Sequence, residues 1–285
     1  MLESWLYSST ISIILRIFGR MSANFRYMVD THCHLDSQSF ENDLEQVIAR
    51  AYEQNVAKII IPGADIRTLP LAQNIAHTYP NVYFAAGVHP NEIVDFDIKV
   101  LEEYAKDEKC IAIGECGLDY YRLSEISQNE NEKETIKQQQ KQCFIAQIEL
   151  ALNLQKPLIV HIREASADSF EILQAYPQAR GVLHCYNADR ILLKLSERFY
   201  YGIGGVCTFK NARRIIEALP LIPKERIVLE TDAPYLTPHP YRGTRNEPHY
   251  IPLIMRQIAQ VLGMSEEEVI DISTHNAITL FKEIQ

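Results

Sequence analysis

The stretch Met28-Val29-Asp30-Thr31-His32-Cys33-His34 ends a short apolar run on two histidines spaced one residue apart. Side chains alternate along an extended chain, so both imidazoles project to one side while Cys33 faces the other. The same event recurs down the sequence: an apolar run stops at a group able to bind metal or move a proton. His89 follows Val82-Tyr83-Phe84, Glu115 follows Ile111-Ala112-Ile113, and His161 follows Leu158-Ile159-Val160. His184 follows Gly181-Val182-Leu183, and Asp232 follows Ile227-Val228-Leu229.

Working outward, strand candidates begin near Met28, Lys58, Asn81, Cys110, Pro157, Arg180, Tyr200 and Ile227. Between them lie segments with helical spacing, such as Leu44, Val47, Ile48 and Ala51. Eight strands, each followed by a helix, predict an α/β fold, a single-domain TIM-type (β/α)8 barrel whose catalytic groups project from the C-terminal strand ends. The histidines and acids above all fall at such ends. No G-x-G-x-x-G follows the first strand, which counts against an open doubly wound sheet. A chain of 285 residues with 47% hydrophobic content can fill one barrel of roughly 250 residues.

The barrel is assigned to residues 28–285, and residues 1–27 are expected to be an extension outside the fold. Its apolar stretch from Ile11 to Phe18 is broken by Arg16, too short for a membrane span and poor as a secretory signal. Two connections exceed the usual loop length. Residues Arg122 to Gln142 are polar and low in complexity, and predict a solvated loop running into a helix that buries Phe144, Ile148 and Leu152. The proline-rich segment from Pro234 to Pro248 predicts a stiff loop at the catalytic face, with Arg242 and Arg245 able to give paired hydrogen bonds to a phosphate, or to tether backbone carbonyls. Glu247 is a candidate cap for the next helix.

A formal net charge of −9 excludes a broad basic surface for gripping long nucleic acid, so a phosphate-bearing partner must be held locally. The six cysteines lack C-x-x-C spacing and mostly sit in or beside apolar runs, which points to buried thiols and a cytoplasmic protein. Neither a membrane nor an obligate protein partner is predicted. Imidazole nitrogens and carboxylate oxygens suit zinc, manganese or similar divalent ions, and the absence of thiolate ligands marks a catalytic site. There is room for two ions, with Glu115 bridging one held by His32, His34 and Asp232 to another held by His161 and His184. Paired ions lower the pKa of a shared water towards about 7, which supplies a nucleophile at neutral pH.

From about Met28 to Ile284 the chain resembles the TatD family of metal-dependent deoxyribonucleases, within the amidohydrolase-like barrels. The resemblance rests on seven blocks in order: Val29 to Asp36, Gly87-Val88-His89-Pro90, Gly114 to Tyr121, Pro157 to Ala165, Leu183-His184-Cys185-Tyr186, Glu230 to Leu236 and Arg242 to Pro248. It implies a TIM-type barrel with a divalent-metal centre that hydrolyses phosphodiester bonds in DNA, in the manner of a 3′-to-5′ exonuclease; the donor count leaves one, two or three ions open, and two per chain, of zinc, magnesium or manganese, is the expectation. It also implies that His32, His34, Glu115, His161, His184 and Asp232 are ligands, and that Asp232, with Glu115, is catalytic. His89 is implied to be a phosphate or leaving-group contact. A metal-activated water attacks carbonyl carbon as readily, so an amidohydrolase or esterase on a small amide, lactone or aminoacyl ester is the alternative. A non-catalytic scaffold is disfavoured because every implied ligand is present.

Overall fold

The computed structural model describes residues 26–284. The expectation for the N-terminal extension therefore lies almost wholly outside the described residues. Only Arg26 and Tyr27 of that segment are seen, held to the C-terminal helix by an Arg26–Asp271 ion pair and a Thr274 hydroxyl that donates to the Tyr27 carbonyl.

Eight parallel strands form one sheet in sequence order: β1 (Met28–Asp30), β2 (Val56–Ile61), β3 (Val82–Ala86), β4 (Cys110–Asp119), β5 (Leu158–Arg163), β6 (Gly181–Leu183), β7 (Phe199–Ile203) and β8 (Ile227–Leu229). The ring closes between first and last. Thr31 N donates to Leu229 O at 3.0 Å, His34 N to Ala233 O at 2.8 Å and Asp232 N to His32 O at 2.8 Å. The helices α1 (Leu44–Glu53), α2 (Leu69–Thr78), α3 (Ile98–Ala105), α4 (Leu123–Ile126), α5 (Glu130–Asn153), α6 (Ser166–Ala175), α7 (Arg213–Ala218), α8 (Ile251–Leu262) and α9 (Glu266–Leu280) lie between and after them. The chain is thus a (β/α)8 barrel. One connection departs from the expected pattern: β6 leads to β7 through a 3₁₀ segment, Arg190–Leu195, started by Asp189, whose carboxylate accepts from Ile191 N.

Strand alternation builds two cores. Val29, Ile60, Ala85, Ile111, Ile159, Val182 and Val228 fill the barrel interior, and Phe281 and Ile284, just after α9, close its floor. Their neighbours Ile59, Ile61, Phe84, Leu158, Val160 and Leu229 face the helices. This period of two carries β5 from inward Ile159 to inward His161. With the floor plugged by apolar side chains, the polar groups of the strands gather at the opposite end.

The segment expected to be a solvated loop is instead mostly helix. Asn129 accepts from Asn131 N, Glu130 and Glu132 occupy the first turn, and the run of Glu, Lys and Gln has high helix propensity, so α5 starts at Glu130. It buries Phe144 and Ile148 as expected, while Leu152 is only partly buried. All six cysteines are free thiols. Among the described residues no helix is long and apolar enough to cross a membrane.

Candidate metal centre

Glu115 is buried, and five imidazoles surround it. His161 Nδ1 donates to its Oε1 at 2.9 Å, His184 Nε2 lies 3.3 Å and His89 Nε2 3.7 Å from the same oxygen. On Oε2, His32 Nε2 lies at 3.3 Å and His34 Nε2 at 3.7 Å. Asp232 Oδ1 completes that side, 3.7 Å from His32 Nε2 and 3.5 Å from His34 Nε2. The structure therefore brings together all six residues expected as ligands, with His89 beside them. Glu115 and His161 lie within β4 and β5 rather than after them, because those strands run past the mouth.

The donors fit divalent ions. The Nε2 atoms of His32 and His34 face each other at 3.3 Å, and two neutral imidazoles gain little from such an approach. Separations of 3.3–3.7 Å are, however, what donors take up when each lies about 2.0–2.2 Å from a shared ion. Three groups could hold an ion: His32, His34 and Asp232; His32, Glu115 and His184; and His89, Asp119 and His161.

Charge follows the same geometry. Burial pushes the Glu115 carboxyl up, but the His184, His32 and His89 imidazoles and the His161 hydrogen bond outweigh it and hold it well below the usual range. Burial, reinforced by His161, pushes His89 down to about 3, so its ring is neutral. Asn91 N donates to His89 Nδ1 at 3.1 Å, which leaves the ring proton on Nε2.

Several supporting residues escaped the sequence reading. Asp119 accepts from His161 Nε2 at 3.2 Å and from Asn91 Nδ2 at 3.2 Å. Its signal was available: Glu115, Gly117 and Asp119 alternate along β4 and share a face. Gly117, at φ +139°, sits opposite His161, where a Cβ would meet the His161 carbonyl oxygen at 2.0 Å. Glu230 is fully buried, accepts from Cys185 N at 2.6 Å and lies 3.4 Å from His184 Nδ1, orienting that ring. Gly202 leaves it room, since a Cβ there would stand 2.0 Å from Glu230 Oε2.

Two buried glutamines of α5 reach the same strand ends. Gln147 Oε1 accepts from Val88 N at 2.8 Å and its Nε2 donates to Val88 O at 3.1 Å, directly before His89. Gln140 does the same to Asp119, with bonds of 3.0 and 3.1 Å. On the opposite side Asp30 accepts from Thr231 N at 2.9 Å, from the Thr231 hydroxyl at 2.6 Å and from His32 N at 3.3 Å.

The loop arginines behave differently from each other. Arg245 takes the tether alternative: its guanidinium donates to Ser39 O, to both Asp43 oxygens and to Glu247, at 2.6–2.8 Å. Arg242 is exposed, stacks over Phe209 at 3.9 Å and donates to Thr237 O at 2.9 Å. Glu247 makes no side-chain cap; it binds Arg50, Arg245 and His249 instead.

A (β/α)8 barrel that gathers imidazoles and carboxylates around a buried glutamate at its mouth defines a metal-dependent hydrolase. A family profile described as TatD related DNase matches residues 29–282, and the chain belongs to that family. It is 37% identical over 262 residues to an uncharacterized metal-dependent hydrolase, YabD, of Bacillus subtilis, covering 90% of this chain and 99% of that protein. Against a 3′-5′ ssDNA/RNA exonuclease TatD of Escherichia fergusonii the identity is 33%, with 89% and 98% covered. The crystal structure of YjjV, a TatD homologue from Escherichia coli, superposes with a TM-score of 0.79 at 25% identity, covering 90% of this chain and 98% of that one.

Proposed function

We propose that this hydrolase cleaves phosphodiester bonds in DNA, releasing nucleotides from 3′ ends. The convergence of His32, His34, His161 and His184 on the two oxygens of one buried carboxylate, Glu115, with Asp232 beside His32 and His34, carries the reading, because it offers donors for two ions side by side. Zinc, magnesium or manganese bound there would polarise a phosphoryl oxygen and lower the pKa of a water.

The remaining steps fall to the protein's own groups. Asp232 takes the proton of the attacking water and passes it towards the leaving oxygen. Burial raises its carboxyl, but the hydrogen bond from His34 and the charges of His184 and His32 outweigh this and keep it ionised and able to accept. His89 presents a neutral Nε2–H beside Glu115, suited to donate to a phosphate or leaving-group oxygen. Arg242, exposed on the loop after β8, is the guanidinium available to a phosphate at the rim. DNA ends or single strands are the proposed partner, and the same donors on a small amide, lactone or aminoacyl ester are the second reading, favoured by the acidic net charge of −9.

A 5′-labelled single-stranded oligonucleotide incubated with protein and Mg²⁺, Mn²⁺ or Zn²⁺ tests this. Stepwise shortening is expected, and Asp232→Asn should abolish it while the thermal unfolding curve stays cooperative. Intact DNA alongside hydrolysed aminoacyl or lactone esters would transfer the assignment to the second reading.

A further inference from the structure

Seven large hydrophobic side chains are exposed among the described residues, and they are unevenly placed. Val94, Tyr121, Ile126, Tyr235 and Tyr241 all lie on connections that leave the C-terminal ends of β3, β4 and β8; Leu71 and Leu221 do not. Scattered apolar side chains on a surface need no explanation, whereas a set gathered around a site of hydrolysis marks a contact surface.

Two of them are fixed to the centre itself. Tyr121 N donates to Asp119 Oδ1 at 3.0 Å, and Tyr235 N donates to Asp232 O at 2.8 Å. Asn246 also donates to Tyr235 O at 2.6 Å. The ring of Tyr235 stands edge-on to His34 with 6.0 Å between centroids, yet the residue is 58% exposed. Tyr121 is 47% exposed, with the exposed Arg163 guanidinium stacked 3.8 Å from its centroid. Each tyrosine is therefore anchored through its own backbone amide to a site aspartate, Tyr121 to the Asp119 carboxylate on the β4 side of Glu115 and Tyr235 to the Asp232 carbonyl on the β8 side, and neither ring is used to fill the core.

We infer that Tyr121 and Tyr235 are specificity-determining residues, stacking platforms for unpaired nucleobases that flank the scissile phosphate; this rests on the nuclease reading above. Stacking needs no basic surface and accepts any base, because every base has a π face. It suits a chain of net charge −9, whose overall charge does not favour binding phosphate through a broad basic surface. Arg163 on Tyr121 adds a planar cation at the same place. Bases inside a duplex are covered on both faces by their stacked neighbours, so two flanking platforms favour frayed or single-stranded ends.

The test compares two oligomers of equal length on the metal-loaded full chain, oligothymidylate and a backbone-only oligomer of tetrahydrofuran abasic units. The native protein should favour the thymidylate oligomer by about 10-fold or more in KM. In Tyr121→Ala and Tyr235→Ala this preference should collapse towards one, with the change in KM rather than kcat and with metal content retained. Tyr121→Phe and Tyr235→Phe keep the ring and should restore it. Equal KM for the two oligomers in the native protein, an undiminished preference in both alanine variants, or phenylalanine variants that behave like alanine would each overturn the inference while leaving the nuclease reading standing. Cleavage of neither oligomer would instead remove the nuclease reading and this inference with it.

Discussion

The two flanks of Glu115 are made of the same kinds of side chain and held by different means. His32, His34 and Asp232 come from the seam where β1 meets β8, and they are fixed by the barrel's own closure. His32 O accepts from Asp232 N, and Asp30 binds the Thr231 hydroxyl and amide beneath them. Asp232 adopts the left-handed conformation at φ 57°, which an aspartate tolerates better than a β-branched residue. His89, Asp119 and His161 come from three successive strands and are fixed from outside the sheet, by amides of Gln140 and Gln147 on α5. The first flank is set as soon as the ring closes, whereas the second also requires a helix to dock in register. A catalytic centre built on strand ends can thus draw its precision from the sheet or from the layer around it.

The largest effect should come from the residue shared by both flanks. Glu115→Ala removes the oxygens that all five imidazoles approach, and hydrolysis should fall on the order of 10³-fold or more, with metal lost from both sides. Metal content per chain and initial rates check this, and retention of a full metal complement would count against a bridging role. Gln147→Leu should act on one flank alone. It releases the Val88 peptide that precedes His89, and second-sphere losses of this kind cost roughly 10–100-fold in metal affinity or activity. Titration with Mn²⁺ should show one weakened class of site and one unchanged class.

Thr231→Val should act on the other flank, through the fold. It removes a buried hydroxyl donor to Asp30, a loss of about 1–3 kcal/mol, or roughly 2–4 °C in Tm for each kcal/mol in a chain of this size. Differential scanning calorimetry reads it directly. The smallest effect is a pH dependence at the outer brace of the same seam, where Glu247 joins Arg50 of α1 to Arg245 and His249 of the last loop. Burial raises the Glu247 carboxyl, but hydrogen bonds from His249, Arg50 and Arg245 outweigh this and hold it at about 2. A carboxylate depressed in the folded state stabilises it above its unfolded value, near 4.5, and loses that contribution as pH falls towards 2. Urea midpoints measured from pH 6 to pH 2 should therefore decline less steeply in Glu247→Gln than in the native protein.

The same contrast explains what the sequence made legible. All eight strands start within two residues of the expected positions, because β-branched runs buried on both faces leave a strong local signal. The candidate ligand set was readable because each member lies at or near the end of such a run. Asp119 was missed although β4 alternation points to it, since the apolar run before Glu115 ends earlier than the strand does. Gln140 and Gln147 left no such trace: within a polar, repetitive segment they look like their solvated neighbours, and only docking reveals that they face the strands. Arg245 stays open in the sequence between a phosphate contact and a tether because its partners, Asp43 and Ser39, are some 200 residues away along the chain.

Crystals grown with Zn²⁺ and measured across the zinc absorption edge test the central claim most directly. Anomalous density on both sides of Glu115, within about 2.0–2.2 Å of its oxygens and of the His32, His34, His161, His184 and Asp232 donors, is the predicted result. Zinc found only on surface carboxylates, with none among these imidazoles, would contradict it.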